Sequence, residues 1–347
     1  MSSTEFDLDA FLDAEPDTIS DQDILINSGS ESSSSVSYKE SGYEGEIDYR
    51  IRQLSYSSRN TFNSCKRKFQ LNRLRTTHRT EQSEETTITF AYGHVIGDGI
   101  QKVLEGKSEQ EVIWNMFLGW HAPLMAEDVK RKKSFWSAVF AVQKFTALRA
   151  AGFLDDYEVL QYNGKSATEL DFCITLPDGF RFRGSVDVVL VHKMNRTILI
   201  LECKTTWQRE VNPTKYRNSS QGIGYSIVLD VIYPGLTEYD VLYLVYSSST
   251  REFTPIKYPK SYSQRAIWIR ELMMDVEMIK FCEEQELYPK NGESCMDFNK
   301  ECEYINHCGM DTKLLTKVCT PEDVDTKEYQ INLDLLDLLN TQLDKVA

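Results

Sequence analysis

The run Ile198-Leu199-Ile200-Leu201 is apolar without interruption, which predicts a strand buried on both faces. It ends not in turn residues but in Glu202-Cys203-Lys204. A period of two puts Glu202 and Lys204 on one side of that strand and Cys203 on the other. The apolar segment before it carries Asp187 among valines, after Gly184. A hairpin centred between Met194 and Asn195 pairs positions whose numbers sum to 389, as those of Asp187 and Glu202 do. Two carboxylates and an amine are therefore expected to converge at the end of a buried sheet.

The remaining pattern predicts mainly helices before this region and a mixture after it. A helix starts after a Ser or Asn cap in Ser55–Asn60 and runs to about Leu74. Another spans about Phe90 to Leu104, and further helices fill 108–152. There Trp114, Phe117, Leu118, Phe135, Trp136, Val139 and Phe140 recur at helical spacing and read as core. Glu169–Ile174 and Leu242–Tyr246 are strands, and Gln221–Asp230, Ser261–Glu286 and Leu333–Leu343 are helices. This order suits an α/β sandwich around a mixed central sheet, with a helical insertion at about 105–155 and a C-terminal helical arm over 321–347.

Charge divides the chain. Residues 1–50 hold 13 acids and two bases, whereas the other 297 hold 40 acids and 37 bases. The acidic, Ser-rich segment 1–46 is expected to be disordered. Its Phe6, Leu8, Phe11 and Leu12 are a candidate motif for a protein partner, against the plainer reading of a solubilising tail. Between Asp48 and Glu81 there is no acid, while Arg59, Lys66, Arg67 and Lys68 stand there among Phe62 and Phe69. That basic, aromatic segment is expected to carry phosphate contacts. No apolar stretch approaches the roughly 20 residues of a membrane helix, and no signal peptide is evident. The expected setting is soluble, in the cytoplasm or another DNA-containing compartment.

Hard oxygen donors at a sheet end suit Mg²⁺ or Mn²⁺, and Lys204 beside them can stabilise developing charge. A salt-bridged core pair is the alternative for Asp187, Glu202 and Lys204. Cys295, Cys302 and Cys308 cluster in a loop. Clustered loop cysteines are more often ligands than packing residues, but three thiols leave a tetrahedral site one short, and free thiols are the alternative.

Gly184-x-x-Asp187, Glu202-x-Lys204 and Gln221-x-x-x-Tyr225 together resemble the PD-(D/E)XK nuclease superfamily, in particular its RecB-like branch. The segment Ser55–Phe69 is similar to that branch's N-terminal helix, and the likeness runs from about 53 to 310. The resemblance implies a restriction-endonuclease-like core over 47–320. It implies Asp187 and Glu202 as metal ligands, Lys204 as the catalytic lysine, Glu169 as the acid of the first core motif, and Gln221 with Tyr225 positioning the strand. It also implies a metal-ligating His where this chain has Gly97, with His94 the nearest substitute. Cys65 matches the first cysteine of iron–sulfur members, so Cys65, Cys295, Cys302 and Cys308 would hold a [4Fe–4S] cluster, or Zn²⁺. The implied activity is hydrolysis of DNA, by an exonuclease on single strands or ends in recombination, repair or replication. A structure-specific or duplex endonuclease, or a silent DNA-binding module, are the alternatives.

Overall fold

The computed structural model describes residues 53–73, 84–122, 133–176, 179–230, 233, 238–297, 300–311 and 329–334. The acidic segment 1–46 lies outside them. Twelve strands and eight helices are described. β1 (Gln53–Ser55) leads into α1 (Tyr56–Ser64) and α2 (Lys66–Arg73), then α3 (Glu84–Leu104), α4 (Glu109–Gly119) and α5 (Phe135–Ala150). Next come β2 (Tyr157–Val159) and the short pair β3 (Gln161–Tyr162) and β4 (Lys165–Ser166). β5 (Thr168–Thr175), β6 (Arg181–His192) and β7 (Ile198–Thr206) follow, then α6 (Thr214–Arg217) and α7 (Ser220–Leu229). β8 (Glu238–Ser247), β9 (Glu252–Ser261) and α8 (Tyr262–Glu284) precede the small pair β10 (Met296–Asp297) and β11 (Lys300–Glu301), and β12 (Ile331–Asp334) is last.

The main sheet has the order β12-β5-β6-β7-β8-β9, with β1 and β2 also pairing to β6. It is mixed: β6–β7 is antiparallel and β7–β8 parallel. The uninterrupted apolar run of β7 explains its central place, because alternate residues enter two cores. Ile198 and Ile200 pack with α7 and α8 on one face, and Leu199 and Leu201 with α3, α4 and α5 on the other. Helices thus cover both faces, as the sequence pattern suggests.

Several boundaries differ from the sequence reading. The expected helix from Ser55 to Leu74 is two helices. Ser55 does cap the first, its side chain accepting from the Ser58 N–H, but Cys65 is extended at φ −156°, ψ 110° and breaks the run. β9 has no alternating pattern to announce it and contains Pro255 and Pro259. It lies at the sheet edge, where a missing N–H costs no ladder bond. Leu333 and Asp334 belong to β12, parallel to β5, not to a helix; positions 335–347 lie outside the described residues. Of the residues expected in the core there, Phe135 and Val139 are buried, but Trp114, Phe117, Leu118, Trp136 and Phe140 are exposed. Periodicity reveals a helix, but how much of it is covered depends on what packs there.

The basic segment is also rebuilt. Arg59 is 5% exposed, pairs with Asp275 on α8 and lies 5.1 Å from the Trp268 ring centroid. Arg67 is buried and donates to the carbonyls of Cys308 and Met310 and to the Gln70 side chain. These two guanidiniums hold α1 and α2 to the rest of the fold. Lys66 lies over the Phe62 ring, and Lys68 stands 3.9 Å from Glu303.

Breaking a buried ion pair on one side costs about 3 kcal/mol or more. Arg59→Ala should therefore lower the urea midpoint clearly. An unchanged midpoint would show that Arg59 is not a structural tie.

Candidate active site

The β6–β7 ladder runs from Val191↔Ile198 to Val188↔Leu201 and then stops. β7 continues beside β8 as far as Thr206↔Ser247, while β6 continues beside β5 from Val186↔Leu170. The two central strands part like a fork, and Asp187 and Glu202 are the first residues beyond the parting. The register is the one implied by the hairpin sum. What the sequence does not show is that β6 loses its alternation here: Val186 and Val189 enter one core, Val188 the other.

Asp187 Oδ2 accepts the backbone N–H of Cys203 at 3.3 Å. Glu202 is 1% exposed; its Oε1 accepts from Lys204 Nζ, but Oε2 is buried without a hydrogen-bond partner. Lys204 Nζ also donates to Gln221 Oε1 at 3.0 Å, and Gln221 Nε2 donates to Tyr225 Oη at 2.6 Å. Gln221 and Tyr225 lie four apart on α7, so one helix face presents both. Gly184 is required nearby, because a Cβ there would stand 2.8 Å from the Phe172 ring.

Glu169 joins from β5. Its φ of +50° is left-handed for a non-glycine residue, a conformation that costs about 1–3 kcal/mol. β5 and β6 pair at Thr168↔Val188 and Leu170↔Val186, with no pairing at Glu169 between them. The carboxylate is held from both sides, by Gln101 Nε2 on α3 at 2.7 Å and by Ser185 Oγ at 3.0 Å. His94 is exposed and pairs at 3.3 Å with Asp98, one turn along α3. Asp98 in turn feels the Glu169 charge. Asp98, Gln101 and Ser185 escape a motif reading. The one available signal is a carboxylate between Gly97 and Gly99, a turn past His94. A Cβ at Gly97 would meet nothing within 4 Å, so the helix leaves open space where the family resemblance expects an imidazole.

Burial pushes the Asp187 carboxyl well above the usual range, and repulsion from Glu202 adds to it, against the pull of Lys204. Burial also raises Glu202, opposed chiefly by Lys204. Burial alone would lower the Lys204 ammonium, but the Glu202 and Asp187 charges outweigh it and hold it above its ordinary value. Cys203, between them in sequence, is raised well above a normal thiol by burial and by both carboxylates, which makes it a poor nucleophile. A divalent cation suits this donor set. Asp187 and Glu202 offer hard oxygens, and the orphaned Glu202 Oε2 and the raised carboxyl both call for positive charge. Among the described residues, however, no three His, Cys, Asp or Glu side chains are already grouped to hold a metal ion.

The segments that carry the cysteines come together at the α1–α2 break. Asn291 Nδ2 and Ser294 Oγ each donate to the Ser64 carbonyl at 2.9 Å, and the Cys302 N–H donates to the Cys295 carbonyl at 2.8 Å. Cys65 and Cys302 lie close enough to Cys308 to help raise its thiol, although burial is the main cause. All four are free thiols, and Cys295 Sγ stands 3.9 Å from the Asn291 carbonyl. Cys173 and Cys282 are buried.

No helix among the described residues is long and apolar enough to cross a membrane. No curated protein matches the chain. Its structure is similar to a crystal structure from Eubacterium rectale of a protein provisionally named an exonuclease, at a TM-score of 0.43 and 11% identity, over 86% of this chain and 100% of that one. At that distance the likeness carries no argument about activity. The sequence itself matches the PD-(D/E)XK nuclease superfamily over residues 53–309, which takes in the strand fork, Lys204 and the whole of α7; the chain belongs to that superfamily.

Proposed function

We propose that this nuclease is a deoxyribonuclease dependent on Mg²⁺ or Mn²⁺, acting as an exonuclease on single-stranded DNA or DNA ends. The observation that carries the reading is the connected group at the fork: Asp187 facing Glu202, with Lys204 tied to both Glu202 and Gln221. Asp187 and Glu202 would hold the cation, which when bound supplies Lewis acidity to a phosphate oxygen and lowers the pKa of the water it carries. Lys204 has three N–H donors. Glu202 and Gln221 take two, leaving one for a phosphate oxygen or the attacking water as charge develops. Gln221, steadied by Tyr225, fixes the ammonium in that orientation. Glu169, held by Gln101 and Ser185, adds negative charge on the far side of Asp187.

Losing one positioned donor to developing charge costs about 100-fold or more in rate. Lys204→Ala should show that loss on labelled DNA with Mg²⁺ or Mn²⁺. Degradation of single strands or from ends supports the exonuclease, and internal cuts in duplex or branched DNA point to an endonuclease. Equal activity in variant and wild type, or none in either, sinks the hydrolase reading.

The raised carboxyls also give a pH signature without metal. A carboxyl whose folded pKa exceeds its unfolded value favours the fold below the unfolded pKa and loses that contribution as pH rises through the folded one. Metal-free protein should therefore lose stability as pH rises above the ordinary carboxylate range, and Asp187→Asn should flatten that decline. Mg²⁺ should restore stability to the wild type at neutral pH and do little for Asp187→Asn. Parallel melting curves for the two proteins would contradict this.

We further infer that Cys65, Cys295, Cys302 and Cys308 take up a [4Fe–4S] cluster, or Zn²⁺, by closing in from the neighbouring positions they occupy. Such a link would tie α1 and α2 to the C-terminal loop. An anaerobic preparation should be brown and contain iron, with the colour lost in Cys302→Ser. A colourless protein containing zinc supports the second metal, and one containing neither rejects both.

A further inference from the structure

The chain between Lys204 and Gln221 is fixed to the fork at both ends. Lys204 Nζ donates to Gln221 Oε1 at 3.0 Å, so residues 205–220 leave the site and return to it. α6 lies on this excursion, on the face of the sheet toward which Glu202 and Lys204 point. Ile198 and Ile200 mark that face by packing with α7 and α8, whereas Cys203 belongs to the opposite one. The Tyr216 ring of α6 lies 5.0 Å from the Tyr243 ring, and Tyr243 is the β8 partner of Glu202. Burial raises the Tyr216 hydroxyl and the Lys204 charge opposes that rise, which places the two groups near each other. Lys260, fully buried on β9, donates to the Arg217 carbonyl at 2.6 Å and fixes the end of α6.

What α6 turns outward is positive. Lys215 and Arg217 stand on either side of buried Tyr216, and both are exposed. Among the described residues, neither side chain makes an ion pair or a hydrogen bond. This sets them apart from Arg59 and Arg67, which are bound up in structural ties. No acid occurs from Val211 to Leu229. α7 then opens without a side-chain cap, so the N–H groups of its first turn add to the positive potential. The fork itself carries three carboxyls, Asp187, Glu202 and Glu169, against one lysine. A polyanion that approaches such a site needs cations on its flank to offset the repulsion.

We propose that Lys215 and Arg217 hold the phosphates next to the one that Lys204 receives, and so lead the strand backbone past the fork. The proposal rests on the nuclease reading and adds to it the residues that seat the substrate. Phosphates are alike in every nucleotide, so this contact accepts any sequence. A cation elsewhere on the surface lacks the tie to the reacting group that Tyr216, Lys260 and Gln221 give to α6.

The test uses the full chain, with Lys215→Gln/Arg217→Gln as the variant and Lys215→Arg/Arg217→Lys as its charge-keeping counterpart. Lys193→Gln/Arg196→Gln removes the same charge from the turn at the far end of the β6–β7 hairpin. Affinity for labelled oligodeoxythymidine and oligodeoxyadenosine is measured by fluorescence polarisation in EDTA, which excludes hydrolysis, over a series of salt concentrations. Each phosphate contact on a single strand contributes about 0.7 to the slope of log affinity against log salt. The Gln variant should bind both strands more weakly, with a slope about 1.4 shallower and an unchanged melting temperature. The charge-keeping and far-end variants should retain the wild-type slope. With Mg²⁺, the KM of the Gln variant should rise while kcat stays within about twofold. An unchanged slope, an equal loss in either control, a loss confined to one of the two sequences, or no wild-type binding at low salt would overturn the proposal. If the wild type binds as expected yet never cleaves, the nuclease reading fails and the phosphate contact survives. If Lys204→Ala abolishes cleavage while the Gln variant keeps its slope, the contact fails and the nuclease reading stands.

Discussion

Two carboxylates forced together at the mouth of a buried strand pair set the terms for everything around them. Asp187 and Glu202 face each other where β6 and β7 part, and both are raised by burial, with mutual repulsion adding at Asp187. Left alone, such a pair would be among the least favourable features of the fold. Its neighbours act against the cost: Lys204 bonds Glu202, the Cys203 N–H bonds Asp187, and Gln221 holds Lys204. They do not cancel it, since Glu202 Oε2 is buried with no partner. The uncompensated negative charge that weakens the metal-free fold is the same charge that would draw in a divalent cation.

The scaffold can carry that cost because the layers behind the fork are apolar and buried. Valine, leucine and isoleucine from β6 and β7 enter cores on both faces of the sheet. Beside the fork, strain appears where the β5–β6 ladder fails, at Glu169, whose left-handed backbone is held in place by Gln101 and Ser185. Strain of this kind persists when surrounding contacts overdetermine it, and here the contacts come from a helix and a strand on opposite sides.

The basic segment after Asp48 shows how charge read along a chain can mislead. An acid-free run suggests a surface for phosphates, yet Arg59 finds Asp275 and Arg67 finds the carbonyls of Cys308 and Met310. Their partners lie more than 200 positions away: 216 for Asp275 and 241 for Cys308. No local window contains them. The aromatics of α4 and α5 fail in the opposite direction, since helical spacing suggested core and the structure leaves Trp114 and Trp136 in solvent. The first reading hid structural ties behind apparent function, and the second took solvent-facing rings for packing.

What the sequence by itself determined is the part ruled by short-range geometry. The apolar runs, the turn between them and the period of two are enough to set the β6–β7 register that brings Asp187 and Glu202 to the same end of the ladder, and helical spacing is enough to put Gln221 and Tyr225 on one face. The Ser55 cap and the mixed sheet are legible for the same reason. Tertiary structure alone decided that the strands diverge just past Val188, that Glu169 turns left-handed, and that Asp98 and Gln101 arrive from α3. It also decided that β9 closes one edge and β12 the other. Each of these depends on contacts between segments far apart in the chain, where packing and desolvation, rather than the propensity of any one segment, select the outcome.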